Sequence, residues 1–294
     1  MRWRKVAILG VGLLGGSLGM AIRFRGLAGE VHGFVRREAT AREAVEAGAV
    51  DVAGDRLSEA VSGADLVVLC TPVARIAALA AEIVPFLEPR ACVTDVGSVK
   101  GVVVDAAEGR IAAAGGFFVG SHPMAGSERT GVGAARRDLF EGALTVVTPT
   151  SASREEAVAL VRGLWESVGS KVSTMTPGLH DELVGRSSHL PHLVAVALAQ
   201  FVLSPSHPAE QASVCATGFR DTTRVASGSP EMWRDIALGN RVAILSALEG
   251  MEGMLGALRK LLEAGDGEGL EALLRSAKDR RDAWCGGGAK SPVE

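Results

Sequence analysis

Apolar residues in the first 175 positions fall into short unbroken runs, separated by stretches of helical spacing. The runs Val6–Leu9, Val31–Val35, Asp65–Cys70, Cys92–Val96, Phe117–Gly120, Ala143–Val147 and Val172–Met175 predict strands. Between them, Leu14–Phe24, Thr40–Ala47, Arg75–Val84, Val99–Ala113 and Glu155–Val168 carry apolar stripes that predict helices, the third ended by Pro85. Strands alternating with helices imply parallel pairing through right-handed crossovers. Runs that are apolar throughout imply a sheet covered on both faces. After Met175 the pattern changes. Thr176-Pro177 reads as a helix start, a hydroxyl cap followed by proline in the first turn. From there to about Asp282 only helical periods appear. The predicted fold class is therefore α/β: a Rossmann-like parallel-sheet domain over 1–175, an all-α domain over 176–285 and a frayed, glycine-rich tail over 286–294.

Composition narrows the function classes. Of 294 residues 47% are apolar and 22% charged, enough for packed cores. The net charge of -3 argues against nucleic acid as a partner, because phosphate binding needs a basic excess. Cys70, Cys92, Cys215 and Cys285 are far apart and form no CxxC pair, which suggests reduced thiols and a cytoplasmic setting. The basic N-terminus leads into an apolar run broken by glycines, which fits a first strand better than a leader. No stretch is long and apolar enough to span a bilayer.

The first predicted strand ends in Gly10-Val11-Gly12-Leu13-Leu14-Gly15 and a helix opens there. In that context GxGxxG is a dinucleotide loop. Its glycines allow a tight turn, close approach of a pyrophosphate and close helix packing, and the helix N-terminus supplies free N–H groups. NAD sites commonly place an acid at the end of the second strand, to bond the ribose. Here Arg36 and Arg37 follow Gly33-Phe34-Val35, which favours the extra phosphate of NADP while leaving NAD possible. Ligands of open parallel sheets sit beyond the carboxyl ends of the strands. Those ends carry Thr71-Pro72, Ser98 in Gly97-Ser98-Val99-Lys100, and His122 in Gly120-Ser121-His122-Pro123. His122 is thus a candidate proton acceptor on a stiff loop, with Ser98 a candidate to orient it. In the helical half, His189 and His192 flank a break, SHLPH, and Arg224 closes GFRDTTR. Anion binding by Arg224 and His192 fits better than a metal site, since no cluster of Asp, Glu or Cys surrounds the histidines.

GxGxxG, TDVGSVK (94–100), GSHPMAG (120–126) followed by Ser127-Glu128, SHLPH (188–192) and GFRDTTR (218–224), in this order, resemble the prephenate dehydrogenase family, with its arogenate and cyclohexadienyl dehydrogenases. The resemblance runs from about Val6 to Arg281. It implies oxidative decarboxylation of prephenate to 4-hydroxyphenylpyruvate in tyrosine biosynthesis, with hydride passing to NAD(P). Within it His122 takes the hydroxyl proton and Ser98 supports His122 and the nicotinamide. Arg224 holds a carboxylate with Asp221 nearby, His192 and His189 contact substrate, and Glu128 gates the pocket. Gly10, Gly12, Leu13, Leu14, Gly15, Arg36, Arg37, Thr71, Pro72 and Ser98 line the cofactor. The resemblance also implies a homodimer through the helical domain, Trp233 coming from the partner subunit, with neither nucleic acid nor membrane as partner. Prephenate and arogenate both stay open as substrates. A β-hydroxyacid dehydrogenase is a rival, but those enzymes resemble one another in a lysine of the second domain, and no lysine lies between Lys171 and Lys260. A dinucleotide sensor without chemistry is a second rival, against which the joint presence of His122, Ser98 and Arg224 counts.

Overall fold

The structure is a computed structural model and describes residues 2–126, 129–204, 206 and 208–286. Strands and helices alternate from the start: β1 (Trp3–Leu9), α1 (Leu13–Phe24), β2 (Ala28–Phe34), α2 (Glu38–Glu46), β3 (Val52–Gly54), α3 (Leu57–Val61), β4 (Leu66–Leu69), α4 (Val73–Glu82), β5 (Cys92–Asp95), α5 (Gly101–Ala113) and β6 (Phe117–Phe118). The six strands pair in parallel in the order β3-β2-β1-β4-β5-β6. This is the doubly wound arrangement, and its order reverses between β1 and β4, which is where such sheets open a crevice for a ligand.

Both faces of the sheet are covered, which explains the unbroken apolar strands. Along β1, Val6 and Ile8 join a layer with Leu18, Ile22, Phe140 and Trp165. Their neighbours Ala7 and Leu9 join the opposite layer with Ile76, Leu79, Val103 and Ile111. Strand β4 divides in the same way, Leu66 and Val68 to one layer, Val67 and Leu69 to the other. Burial pushes the Cys92 thiol up to about 12, so this core cysteine stays a neutral apolar filler.

Two sequence expectations need correction. The segment around His122 is no loop. Gly120–Pro123 is a strand, β7, and it pairs antiparallel with β8 (Leu144–Thr148). Strand β8 pairs in parallel with β9 (Lys171–Thr174) across α6 (Glu155–Ser167), so a separate three-stranded sheet of order β7-β8-β9 exists. Proline is tolerated because Pro123 is the last residue of an edge strand. The uniform parallel pairing fails at Val119, whose N–H still bonds Val93 of the first sheet before the chain enters the second.

The helical part begins with α7 (Pro177–Val184), where the Thr176 hydroxyl accepts from the Leu179 N–H at 3.3 Å. A single π-helical turn, Gly185–His189, joins it to α8 (Leu190–Val202). Then come α9 (Pro208–Val214), α10 (Thr217–Thr223) and α11 (Pro230–Gly239). By compactness the chain divides at Arg241, so that α7 to α11 belong to one unit with the α/β part, and Val242–Glu294 forms a second. Helix α12 (Arg241–Ala264), which lies in that second unit from Val242 on, turns at Gly265, φ 63°, into α13 (Gly267–Gly286). Asp266 starts α13 by accepting from the Gly269 N–H at 2.9 Å. Among the described residues no helix is long and apolar enough to cross a membrane.

Candidate active site

The nucleotide crevice is built where β1 meets α1. Gly10 has φ 106°, and a Cβ there would lie 2.7 Å from the Cys70 carbonyl oxygen. A side chain at Gly15 would collide with the Gly10 carbonyl oxygen, so α1 starts hard against the turn. At Gly12 a Cβ would meet nothing within 4 Å, so the backbone there stays open to an approaching group. No side chain caps the start of α1, which leaves its first N–H groups free for an anion. The Thr71 hydroxyl, after β4, is buried without a partner among the described residues. An open glycine cradle, uncapped helix N–H groups and an orphaned hydroxyl together fit a dinucleotide pyrophosphate. Gly10 also donates to the Phe34 carbonyl at 2.9 Å, which sets the end of β2 beside the loop. Arg36 and Arg37 follow two and three residues later, both exposed.

A buried polar frame seats His122. Lys100 and Asp95, both fully buried, form an ion pair. Lys100 Nζ also donates to the Ser121 carbonyl at 2.8 Å, and the Ser121 N–H donates to Asp95 Oδ1 at 3.1 Å. Trp165 Nε1 donates to Ser121 Oγ at 2.9 Å, and that hydroxyl donates to the Asp95 carbonyl at 2.6 Å. Three elements, β5, β7 and α6, are thereby locked around the residue before His122. Burial lowers the Lys100 pKa and the Asp95 carboxylate opposes that shift.

His122 is half-buried, and its Nδ1 lies 2.9 Å from Nε2 of His180. His180 is fully buried, and its Nδ1 lies 2.8 Å from Asp181 Oδ1. Asp181 in turn accepts from the Lys100 N–H through Oδ1 and from the Gly101 N–H through Oδ2, each at 2.8 Å. Its carboxylate therefore caps the N-terminus of α5 from α7. Burial pushes the Asp181 pKa up, but the bonds from His180 and from the two N–H groups outweigh it and hold the pKa below the usual carboxylate value. Burial lowers the His122 pKa well below that of a free imidazole, with His180, Lys100 and His189 adding to the effect. His189, on the π turn, is lowered to about 4, chiefly by burial. Its Nδ1 lies 3.0 Å from Asn240 Nδ2, which also donates to the Asp181 carbonyl at 2.8 Å.

His192 is buried and stacks on Trp233, with ring centroids 3.4 Å apart and planes 10° from parallel. His189 meets the same indole edge-on at 6.1 Å. Helix α11 thus brings Trp233 against α8 within the chain. Burial also lowers the His192 pKa. Arg224 and Asp221 are exposed at the end of α10, and neither forms an ion pair among the described residues. Ser98 is half-buried in the turn after β5 and makes no hydrogen bond to His122 among the described residues; His180 holds that ring. Glu128 lies outside the described residues. Sequence reasoning missed His180, Asp181, Lys100 and Asn240. The first two sit in α7, a helix whose Thr-Pro start was readable, but nothing in the spacing ties position 180 to 122.

Comparison with known proteins places the chain. A family model for the prephenate dehydrogenase nucleotide-binding domain matches residues 18–174. One for the prephenate dehydrogenase dimerization domain matches 176–276. Prephenate dehydrogenase of Bacillus subtilis is 34% identical over 94% of this chain and 75% of its own length. Cyclohexadienyl dehydrogenase of Zymomonas mobilis is 32% identical over 90% of this chain and 91% of its own. The crystal structure of prephenate dehydrogenase from A. aeolicus, in complex with hydroxyphenyl propionate and NAD+, superposes with a TM-score of 0.90 at 35% identity, covering 96% of this chain and 98% of that one.

Proposed function

The chain belongs to the prephenate dehydrogenase family, an oxidoreductase family, and from that premise we propose how its own residues carry out the reaction. The reaction is oxidative decarboxylation of prephenate to 4-hydroxyphenylpyruvate. A bound nicotinamide would supply the hydride acceptor for the ring carbon that bears the hydroxyl. His122 accepts the hydroxyl proton as that carbon becomes a carbonyl. The bond to the ring carboxylate then breaks, carbon dioxide leaves, and its electron pair makes the ring aromatic. His122 suits the task because its lowered pKa keeps it neutral at ordinary pH, in the form that can accept a proton.

The remaining assignments follow from charge and place. Gly10, Gly12, Leu13, Leu14 and Gly15 cradle the pyrophosphate, and Thr71 and Pro72 border it. Ser98 borders the nicotinamide. Arg36 and Arg37 bind the 2′-phosphate, which makes NADP the favoured cofactor. Arg224 receives a carboxylate of the substrate, with Asp221 near it in the sequence. His189, His192 and Trp233 form one wall of the pocket, while Glu128 gates it. Two copies associate through the helical half.

The observation that carries this reading is His122 held by a buried polar frame anchored at the end of β5, in a chain whose β1 ends in a glycine cradle open to a dinucleotide. Steady-state reduction of NAD+ and NADP+ with prephenate and with arogenate tests it. Turnover with prephenate, faster with NADP+, is the expected result. Turnover with arogenate alone would move the substrate to the amino form, and none with either would remove the assignment.

A further inference from the structure

The hydrogen bonds behind His122 run in one direction, because their last member is an anion. Asp181, with its pKa held down, is a carboxylate and offers only acceptors. Two backbone N–H groups point at it, each at 2.8 Å. The His180 Nδ1 that lies 2.8 Å away must therefore carry a hydrogen and donate it. With a single ring hydrogen, His180 then has a bare Nε2. The partner of that nitrogen, His122 Nδ1 at 2.9 Å, must be the donor. His122 is left with its lone pair on Nε2. A free neutral imidazole side chain prefers the opposite tautomer, with its hydrogen on Nε2. We propose that His180 and Asp181 are positioning residues for this dehydrogenase: they hold His122 as its Nδ1–H tautomer, with Nε2 as the proton-accepting atom.

The proposal rests on the reading of His122 as the base and adds which nitrogen acts and what fixes it. The ring planes of His122 and His180 lie 72° apart with centroids at 5.1 Å, so they meet through the hydrogen bond and do not stack. When Nε2 of His122 takes the substrate proton, the imidazolium still donates its Nδ1–H to His180. The new positive charge thus faces the Asp181 carboxylate through His180. The charged and titratable groups facing the pair are Lys100, Asp95, Asp181 and His189, and the two carboxylates offset the nearby cation. Triads of this logic lose several powers of ten in turnover when the carboxylate that sets the tautomer is replaced.

Selective 15N labelling of histidine tests the assignment without relying on activity, since the two ring nitrogens of a neutral imidazole resonate far apart. The His122 signals are identified by their loss in His122→Asn. In the full-length protein they should show a protonated Nδ1 and a bare Nε2. His180→Leu should let the ring revert toward Nε2–H and lower kcat about 100-fold or more, with KM for the nucleotide unchanged. His180→Gln can still accept from His122 and donate to Asp181, so it should keep the tautomer and restore kcat to within about tenfold of wild type. A His122 protonated at Nε2 in the unmodified protein would overturn the proposal. So would His180→Leu and His180→Gln variants with equal kcat. If the tautomer is as stated but neither prephenate nor arogenate is oxidised, the reading of the reaction fails and the positioning pair stands.

Discussion

At the scale of single residues, the proposed function asks for a base kept neutral by its surroundings and for cations left free for anions. Asn in place of His122 keeps a polar group but cannot accept the proton. His122→Asn should lower kcat by about 10²–10⁴-fold while nucleotide affinity, followed by Trp fluorescence, stays the same. Lost nucleotide binding with normal turnover would contradict the role. The lowered pKa has a further consequence: kcat should stay level as pH falls through 6.5, because the base form of His122 persists below that value. Arg36 is exposed at the end of β2 and has no ion-pair partner among the described residues, so its guanidinium is available to a phosphate. Arg36→Ala should raise KM for NADP+ roughly tenfold and leave KM for NAD+ nearly unchanged. Equal effects on both would remove Arg36 from the ribose site.

At the scale of elements, the turn from β1 into α1 shows how little freedom the cradle has. Gly15→Ala would drive a methyl into the Gly10 carbonyl oxygen and against the Ile8 and Cys70 side chains, the latter two 3.0 Å away. Relief needs α1 to back away from the sheet. Chemical denaturation should show a loss of about 1–3 kcal/mol, with weaker nucleotide binding. This part of the molecule was legible in the sequence: GxGxxG after an apolar run names both the turn and the crevice, and the apolar runs gave the strands of the sheet to within a few residues. Short β3 and α3 escaped because three or five residues show no period. Strand β7 escaped because its composition, Gly-Ser-His-Pro, speaks against a strand, and only pairing with β8 makes it one. The positioning pair was hidden for a different reason. His180 and Asp181 act across 58 and 80 residues of sequence, on His122 and Gly101, and such a distance leaves no trace in local pattern. Lys100 stood in a quoted motif, yet its burial against Asp95 shows only in three dimensions.

For the molecule as a whole, the buried histidines make stability depend on pH in one direction. His122, His189 and His192 all have pKa values lowered on folding. Between the unfolded value near 6.5 and the folded one, the unfolded chain binds more protons, so stability rises with pH. It is complete above 6.5 and falls as pH drops toward the folded values, about 4 for His189. That residue alone accounts for up to about 3 kcal/mol. Asp181, lowered from 3.8, adds its own loss only below that pH. Thermal unfolding should therefore show a Tm that declines from pH 7 to pH 5, and a flat Tm over that range would contradict the burial of these rings. The second compact unit points to assembly. Helix α12 exposes Val242 at 79%, Leu245 at 58%, Leu255 at 55% and Leu262 at 61%, apolar positions that fall on one broad side of the helix. An exposed apolar side of this kind marks a surface that another chain covers. The matched family model for this region is that of a dimerization domain. Leu255 and Leu262, seven residues apart, share one face of α12. Leu255→Glu together with Leu262→Glu would set two carboxylates into a dimer seam at that face. Sedimentation should then find a monomer where the unaltered chain is a dimer, whereas an intact dimer would place the contact on another face of the helical half.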